Sequence, residues 1–225
     1  MSNWQTVKQL NGPQEWASRL IEGFQGATIT ASEYGGVDYF IPGPQDVGSG
    51  RCETQYIFGR EGMTCAYEWH IWVPSSVEWS TTDDDENLIS QHHGNKNAGF
   101  TGGTSVDATT EQIKIKVKGG HELNMSGSHR YDFEGEFNIG TLQRNKLHRI
   151  RHEVYWTRDD NGWYRGRLDD GPYNCLVNIP TWPIGDYDGV PTETIMWRTG
   201  FYPQRGQVPG DMRMSTGPQL FQIPA

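Results

Sequence analysis

The sequence predicts an all-β protein built as a single β-sandwich of jelly-roll type. Three observations carry that prediction. Short segments rich in aromatic and β-branched residues follow one another, many with alternating polar and apolar positions. The 28 glycines and 12 prolines are scattered among them, so they punctuate many short segments and mark no linker. Helical periodicity is confined to one stretch near the start, and strands without alternating helices point to a sandwich or jelly roll. At 225 residues the chain suits one large sandwich and can bury a core without disulfides. Only 34% of residues are apolar, but 12% are aromatic, including 9 Trp and 10 Tyr, which excludes a disordered chain. With no internal repeat or low-complexity tract, residues 1–225 are expected to form one domain, with 1–45 as an N-terminal segment.

In chain order, residues 13–24 place Trp16, Leu20 and Phe24 at four-residue spacing, which predicts a short helix. Residues 51–58 alternate, with Arg51, Glu53 and Gln55 on one face and Cys52, Thr54 and Tyr56 on the other. The run 63–73 ends at Pro74; it turns Tyr67, Trp69, Ile71 and Val73 toward a core, and His70 and Trp72 the other way. Further strands are expected at 88–93, 112–117, 131–139, 148–157, 163–168, 194–202 and 212–221. Gly119-Gly120, Asp160-Asn161-Gly162 and Asp169-Asp170-Gly171 are the clearest hairpin turns between them.

Composition narrows the function classes. With 19 Lys+Arg against 28 Asp+Glu the net charge is −9, which argues against generic nucleic-acid binding. No apolar run approaches the roughly 20 residues of a membrane helix. The start, Met1 to Gln5, has neither a basic n-region nor an apolar h-region, so no signal peptide is expected. Cys52, Cys65 and Cys175 form no CxxC pair. Three reduced thiols are the favoured reading; a Cys52–Cys65 bridge across paired strands, leaving Cys175 free, is the alternative. The oxygen-rich stretch 81–87 is a candidate for a structural calcium ion, but it lacks the glycine and spacing of an EF-hand and reads first as a solvated loop.

Three strands place polar, proton-active groups at period two. Arg51, Glu53 and Gln55 share a face, as do Gln91 and His93, with His92 directed oppositely into packing. Arg198, Gly200 and Tyr202 share a third face, and Gln204 follows. A sheet face bearing Arg, Gln, His and Tyr is a poor core and a good floor for a groove that binds a polyanion. In order, Arg51-Cys52-Glu53, Gln91-His92-His93 and Met196-Trp197-Arg198-Thr199-Gly200-Phe201-Tyr202-Pro203-Gln204 resemble three segments of family 7 alginate lyases. Those segments are Arg-Ser/Thr-Glu, Gln-x-His and Tyr-Phe-Lys-Ala-Gly-x-Tyr-x-Gln. The chain is similar to the jelly-roll polysaccharide lyases, a superfamily that also includes glucuronan lyases and heparin lyase I, over roughly residues 45–205. It departs at Cys52, at Met196-Trp197 and at Arg198, where the family has Lys; Arg is a planar, bidentate carboxylate binder and Lys a point charge.

The resemblance implies a concanavalin A-like jelly roll with a concave groove. It also implies cleavage of a uronic-acid polysaccharide by β-elimination, leaving unsaturated uronide ends. Neutralising the substrate carboxylate lets charge developing on the adjacent carbon spread onto its oxygens. Arg51 and Gln91 take that role by resemblance, while His93 and Tyr202 exchange protons with the carbon and the leaving oxygen. Glu53, Gln55, Arg198 and Gln204 are the implied substrate-binding residues, with Glu53 orienting Arg51. A tyrosine titrates near 10, so a Tyr202 base needs a cation such as Arg198 or Arg51 beside it. The missing side chain at Gly200 leaves room for a sugar ring. The implied enzyme requires no cofactor, takes an anionic polysaccharide as partner, engages neither nucleic acid nor membrane, and acts outside the cell or on a virion.

Two rivals remain. Asp132, Glu134 and Glu136 lie on one strand face near the spacing a retaining glycosidase of laminarinase type wants, but the run begins with Asp and contains Gly135. A non-catalytic carbohydrate-binding or attachment domain would use Trp79, Trp163 or Trp182 as stacking platforms. Arg149 with Arg151 and Arg165 with Arg167 are basic pairs that either line the groove or cover another face. The acidic net charge favours a carboxylate-only polymer such as glucuronan or alginate over a highly sulfated one, with a locally basic groove steering the ligand.

Overall fold

The computed structural model describes residues 3–81, 86–94, 100–120, 133–182, 193–203 and 207–225. Eighteen strands among these residues, numbered along the chain, form three antiparallel sheets arranged as a jelly-roll sandwich. The front sheet runs β11 (Phe133–Thr141), β10 (Gln112–Gly119), β9 (Phe100–Asp107), β8 (Glu86–Gly94), β15 (Ile195–Pro203), β6 (Arg51–Ile57) and β2 (Ser18–Glu22). The back sheet runs β14 (Asn174–Ile179), β13 (Gly162–Leu168), β12 (His148–Tyr155), β7 (Thr64–Trp72), β17 (Met212–Thr216), β4 (Val37–Ile41) and β3 (Thr28–Ala31). Beside β17, β18 (Gln219–Pro224) also pairs with β7 and carries β1 (Trp4–Leu10). β5 (Gln45–Asp46) and β16 (Gln207–Val208) make a small ribbon.

Period-two alternation assigns the faces. Ile113, Ile115 and Val117 of β10 are fully buried, and so are Trp69 and Ile71 of β7, with Tyr67 close behind. The lysines of β10 and His70 and Trp72 of β7 point outward. Because apolar residues are few, the core also buries polar side chains, and these are joined in networks. Tyr39 bonds Thr54 at 2.5 Å and Thr199 at 2.9 Å; Gln219 donates to Thr199 and accepts from the Trp197 indole.

A second network crosses between the sheets. Ser90 donates to Thr104 at 2.9 Å, so the Thr104 proton goes to His152 Nε2 at 3.0 Å. His152 then carries its hydrogen on Nδ1 and donates to Tyr164 at 2.8 Å, and Tyr164 donates to His92 Nδ1 at 2.9 Å. Both imidazoles are neutral in this arrangement. Burial pushes His152 down to about 3, and burial with the neighbouring His152 holds His92 well below the ordinary histidine range. Unfolded histidines titrate near 6.5. The unfolded chain therefore binds protons that the folded one refuses, and stability must fall as the pH drops below about 6.5. Burial raises the Glu53 carboxyl and works in the opposite sense, one group against two. Urea midpoints recorded from pH 7.5 down to 5 should decline steadily; a constant midpoint would show that the network accepts protons while folded.

The structure departs from the sequence reading at several places. Residues 13–24 hold no α-helix: Pro13–Glu15 is one 3-10 turn, Trp16 is extended, and Ser18–Glu22 pairs with β6. Four-residue spacing fits a helix, but a strand here covers the edge of β6, which a helix would leave unpaired. Cys52 and Cys65 lie on opposite sheets, so they do not share a strand pair, and all three cysteines are free. Burial pushes both the Cys52 and Cys65 thiols up to about 12. Gly119-Gly120 makes no tight turn, because Gly119 pairs with Phe133, fourteen residues further on. The other two turns do join β12 to β13 and β13 to β14. The 212–221 segment is two strands, β17 and β18, and β1, β3, β4, β5, β9, β14 and β16 lie where the sequence pattern predicts no strand.

Candidate active site

The three motif strands are neighbours, with β15 between β8 and β6. Gln91 and Gln55 face Arg198 from either side, and Glu53 faces Gly200. The alternate residues Thr54, His92, Trp197 and Thr199 are buried in the core, so Arg51, Glu53, Gln91, Arg198 and Tyr202 belong to the outer face of the front sheet. One row across that face reads Gln55, Arg198, Gln91, Gly103, Lys116 and Glu136 on six consecutive strands.

This face carries a polar layer. Gln91 donates to Glu53 Oε1 at 2.6 Å, reaching from β8 to β6 across β15 at the level of Gly200. Glu53, Gln91 and Arg198 are 1%, 4% and 8% exposed. Burial raises the Glu53 carboxyl, opposed by Arg198, the Gln91 hydrogen bond and Arg51. Burial likewise lowers the Arg198 guanidinium, opposed by Glu53. Both shifts have one origin: desolvation outweighs the mutual attraction. Glu53 Oε2 and Arg198 Nε are buried without hydrogen-bond partners, so the layer has unused polar capacity. Toward the other end of β15, the Arg51 guanidinium lies 5.3 Å from the centre of the Tyr202 ring, and its Nε donates to Glu22 at 2.9 Å.

Gly200 differs from the expected role. Its φ is +135°, and a Cβ there would lie 2.1 Å from the Cys52 carbonyl oxygen and 2.6 Å from the Glu53 Cα. The glycine is required by the approach of β15 to β6, at a bulge between Thr199 and Tyr202, and the missing side chain does not open into the groove. His93 stands opposite Met196 and Tyr202 opposite Leu88, so the two lie five residues apart along β8, about 17 Å of strand. The structure thus brings Arg51 to Tyr202, and Gln91 to Glu53 and Arg198, with His93 two residues beyond Gln91 along β8. Glu53 engages Gln91 and Arg198 more directly than Arg51, whose ion pair is with Glu22. Gln204 lies outside the described residues, as do Asp132 and residues 82–85 of the calcium candidate; among the described residues no carboxylate, His and Cys cluster fits a metal.

Sequence reasoning missed the lysines. Lys114, Lys116 and Lys118 line the outer face of β10; Lys114 lies 3.5 Å from Asp107 and Lys118 2.7 Å from Glu134. The alternating Ile-Lys-Ile-Lys-Val-Lys of β10 was the available signal. Glu134 and Glu136 of the glycosidase alternative are the partners of these lysines on the edge strand. Trp79 and Trp182 are 5% and 0% exposed, so neither is a stacking platform. Arg149, Arg151, Arg165 and Arg167 belong to the back sheet and take no part in the groove.

The outer face of the front sheet thus carries buried Arg, Gln and Glu beside a tyrosine overlaid by an arginine, with a stripe of lysines on β10. The polysaccharide lyase family profile matches residues 4–218, and the chain belongs to that family. It is a polysaccharide lyase, an enzyme that opens uronic-acid polysaccharides by β-elimination. No curated protein sequence matches it significantly. Among solved structures, it is similar to the endo-β-1,4-glucuronan lyase of the fungus Trichoderma reesei, with TM-score 0.73, 13% identity, and 97% and 96% of the two chains covered. It is similar to the alginate lyase vAL-1 from Chlorella virus, with TM-score 0.64, 10% identity and coverages of 97% and 100%. The marine PL-14 alginate lyase from Aplysia kurodai gives TM-score 0.60 at 10% identity, with 98% and 100% covered. At such identities the likeness establishes the fold.

Proposed function

We propose that the protein cleaves a carboxylate-only polyuronate of the glucuronan or alginate class, with Arg198 and Gln91 holding the substrate carboxylate and Tyr202 exchanging protons at the scissile bond. The observation that carries this reading is the spacing along β15. Arg198 and Tyr202 are four residues apart on the same face of β15, about 13 Å, so a saccharide laid over the Gln91–Glu53 layer between them meets one of the two at each side. Arg198 has a buried Nε without a partner, and Arg is suited to binding a planar carboxylate through two parallel hydrogen bonds. Glu53 is a support: its 1% exposure and its bond from Gln91 fix the amide beneath the sugar. Arg51 supplies positive charge beside Tyr202, where it stabilises negative charge developing on the phenol oxygen as the proton leaves. His93 binds a more distant sugar of the chain, and the lysines of β10 extend the binding surface away from β15. The glucuronan lyase likeness supports the polymer class by fold alone.

The test is incubation with glucuronan, polymannuronate, polyguluronate and a neutral glucan while ultraviolet absorbance of the unsaturated uronide is followed. Product from at least one uronate polymer and none from the glucan is expected; no product from any uronate polymer overturns the substrate class. On a cleaved polymer, Arg198→Ala should lower kcat/KM by about a hundredfold or more, the scale of losing one preorganised charge-stabilising donor. Arg198→Lys should recover only part of this, because the point charge lacks the planar fork. Equal activity of Arg198→Ala and the parent removes Arg198 from the site.

A further inference from the structure

A second polar cleft lies on the opposite side of the sandwich. On the outer face of β12 and β13, a cavity of about 570 Å³ is lined by Arg151, Glu153, Arg165, Arg167 and Tyr173, with Trp4 and Gln222 at its margin. The alternate residues Ile150, His152, Val154 and Tyr164 are buried between the sheets, so these arginines point away from the groove.

Most of the cluster is internally satisfied. Glu153, 2% exposed, accepts hydrogen bonds from Tyr173 at 2.5 Å and from Arg151 and Arg165 at 2.7 Å each. Arg151 also donates to Glu68 at 3.0 Å and to Gln222 at 2.6 Å. This ion-pair set joins β7, β12, β13 and β18, and a purely structural role accounts for it.

Arg167 is not accounted for. The cluster holds three guanidiniums against two carboxylates, Glu68 and Glu153, and both carboxylates are engaged by Arg151 and Arg165. Arg167 has no ion pair or hydrogen bond among the described residues, and its Nε is buried without a partner. It stacks on Tyr173 with its guanidinium carbon 4.8 Å from the ring centre, while Arg165 contacts the same ring at 4.7 Å. Stacking uses the face of a guanidinium and leaves its in-plane donors for an acceptor. A surplus cation, stacked on Tyr173 at a cavity of sugar size in a chain of net charge −9, marks an anion site.

We propose that this cleft is a non-catalytic holding site for a carboxylate-bearing sugar unit, with Arg167 as the anion anchor. The identity of the sugar rests on the polyuronate reading above. A site on the back would keep the enzyme on a long polymer between cleavages by raising the local concentration of chain.

The test compares the parent with Arg167→Ala and Arg167→Gln, the latter keeping a side chain over Tyr173 while removing the charge. Mobility is measured in native gels cast with the polyuronate or with a neutral glucan, in an Arg198→Ala background that weakens the groove. Both Arg167 variants should show at least fivefold weaker retardation by the polyuronate, with no change in the glucan gel. In the Arg198 background or outside it, their thermal midpoints should match those of the corresponding parent. In otherwise unaltered enzyme, KM for long polymer should rise by a similar factor while kcat on a tetrasaccharide stays unchanged. Unaltered retardation overturns the site, and so does an equal loss on tetrasaccharide, which would place Arg167 in the catalytic machinery. If the parent makes no unsaturated product but Arg167 still governs retardation, the site stands and the lyase substrate reading fails.

Discussion

Tyr202→Phe should lower turnover on a cleaved polyuronate by about a hundredfold or more while folding and substrate binding survive, the usual scale when a general acid or base is removed. The substitution deletes one oxygen and keeps the ring. That ring is half-buried at the end of β15, and the Arg51 guanidinium lies over it at 5.3 Å, a contact with the aromatic face that phenylalanine preserves. No hydrogen bond within the described structure uses the hydroxyl, so its removal strands no partner. On the proposed mechanism, what disappears is the proton carrier beside the Arg51 guanidinium. The measurement is initial velocity by unsaturated-uronide absorbance, with binding by calorimetry at a temperature where turnover of the variant is negligible. A rate within a few-fold of the parent, at unchanged affinity, would assign the proton transfer elsewhere.

How far the sequence foretells this site depends on whether a feature is local. Side-chain alternation is local, so the outward direction of Gln91 against the inward direction of His92 follows from parity, and so does the core placement of Tyr67, Trp69 and Ile71. The adjacency of β6, β15 and β8 was legible only through motif order resembling a family, since strand pairing there joins residues up to 149 positions apart, Cys52 with Phe201, and no local pattern encodes it. Register was illegible. The distance of His93 from Tyr202 follows from His93 pairing with Met196, and a bulge between Thr199 and Tyr202 sets what lies opposite the tyrosine. The predicted helix at 13–24 failed for a related reason: the apolar spacing was real, but β6 needed an edge partner and Ser18–Glu22 supplied it. The lysines of β10 were readable from Ile-Lys-Ile-Lys-Val-Lys, yet their membership in the groove needed the tertiary order β10, β9, β8.

Gly200→Ala should be among the most destabilising single-methyl changes in the chain, and it should disable the site as well as the fold. Two penalties combine. The residue has φ of +135°, a conformation that costs an L-residue about 1–3 kcal/mol. The new Cβ would also sit 2.1 Å from the Cys52 carbonyl oxygen and 2.6 Å from the Glu53 Cα, backbone atoms that cannot rotate away. Relief requires β15 to move off β6, which adds an overpacking cost of about 1–3 kcal/mol. A total of roughly 2–6 kcal/mol corresponds to a fall in Tm of about 5–20 °C at this chain size. Because Gln91 reaches Glu53 across β15 at this level, the same displacement should break the hydrogen bond that fixes the Gln91 amide. Gly48→Ala separates the two penalties: its φ is +68° and no atom lies within 4 Å of the added methyl, so only the conformational cost applies. Thermal scans of both variants should show Gly200→Ala losing at least twice what Gly48→Ala loses, with activity falling only in the former. Equal losses would mean that β15 and β6 separate freely, and the close approach would then play no part in holding Glu53 and Gln91 together.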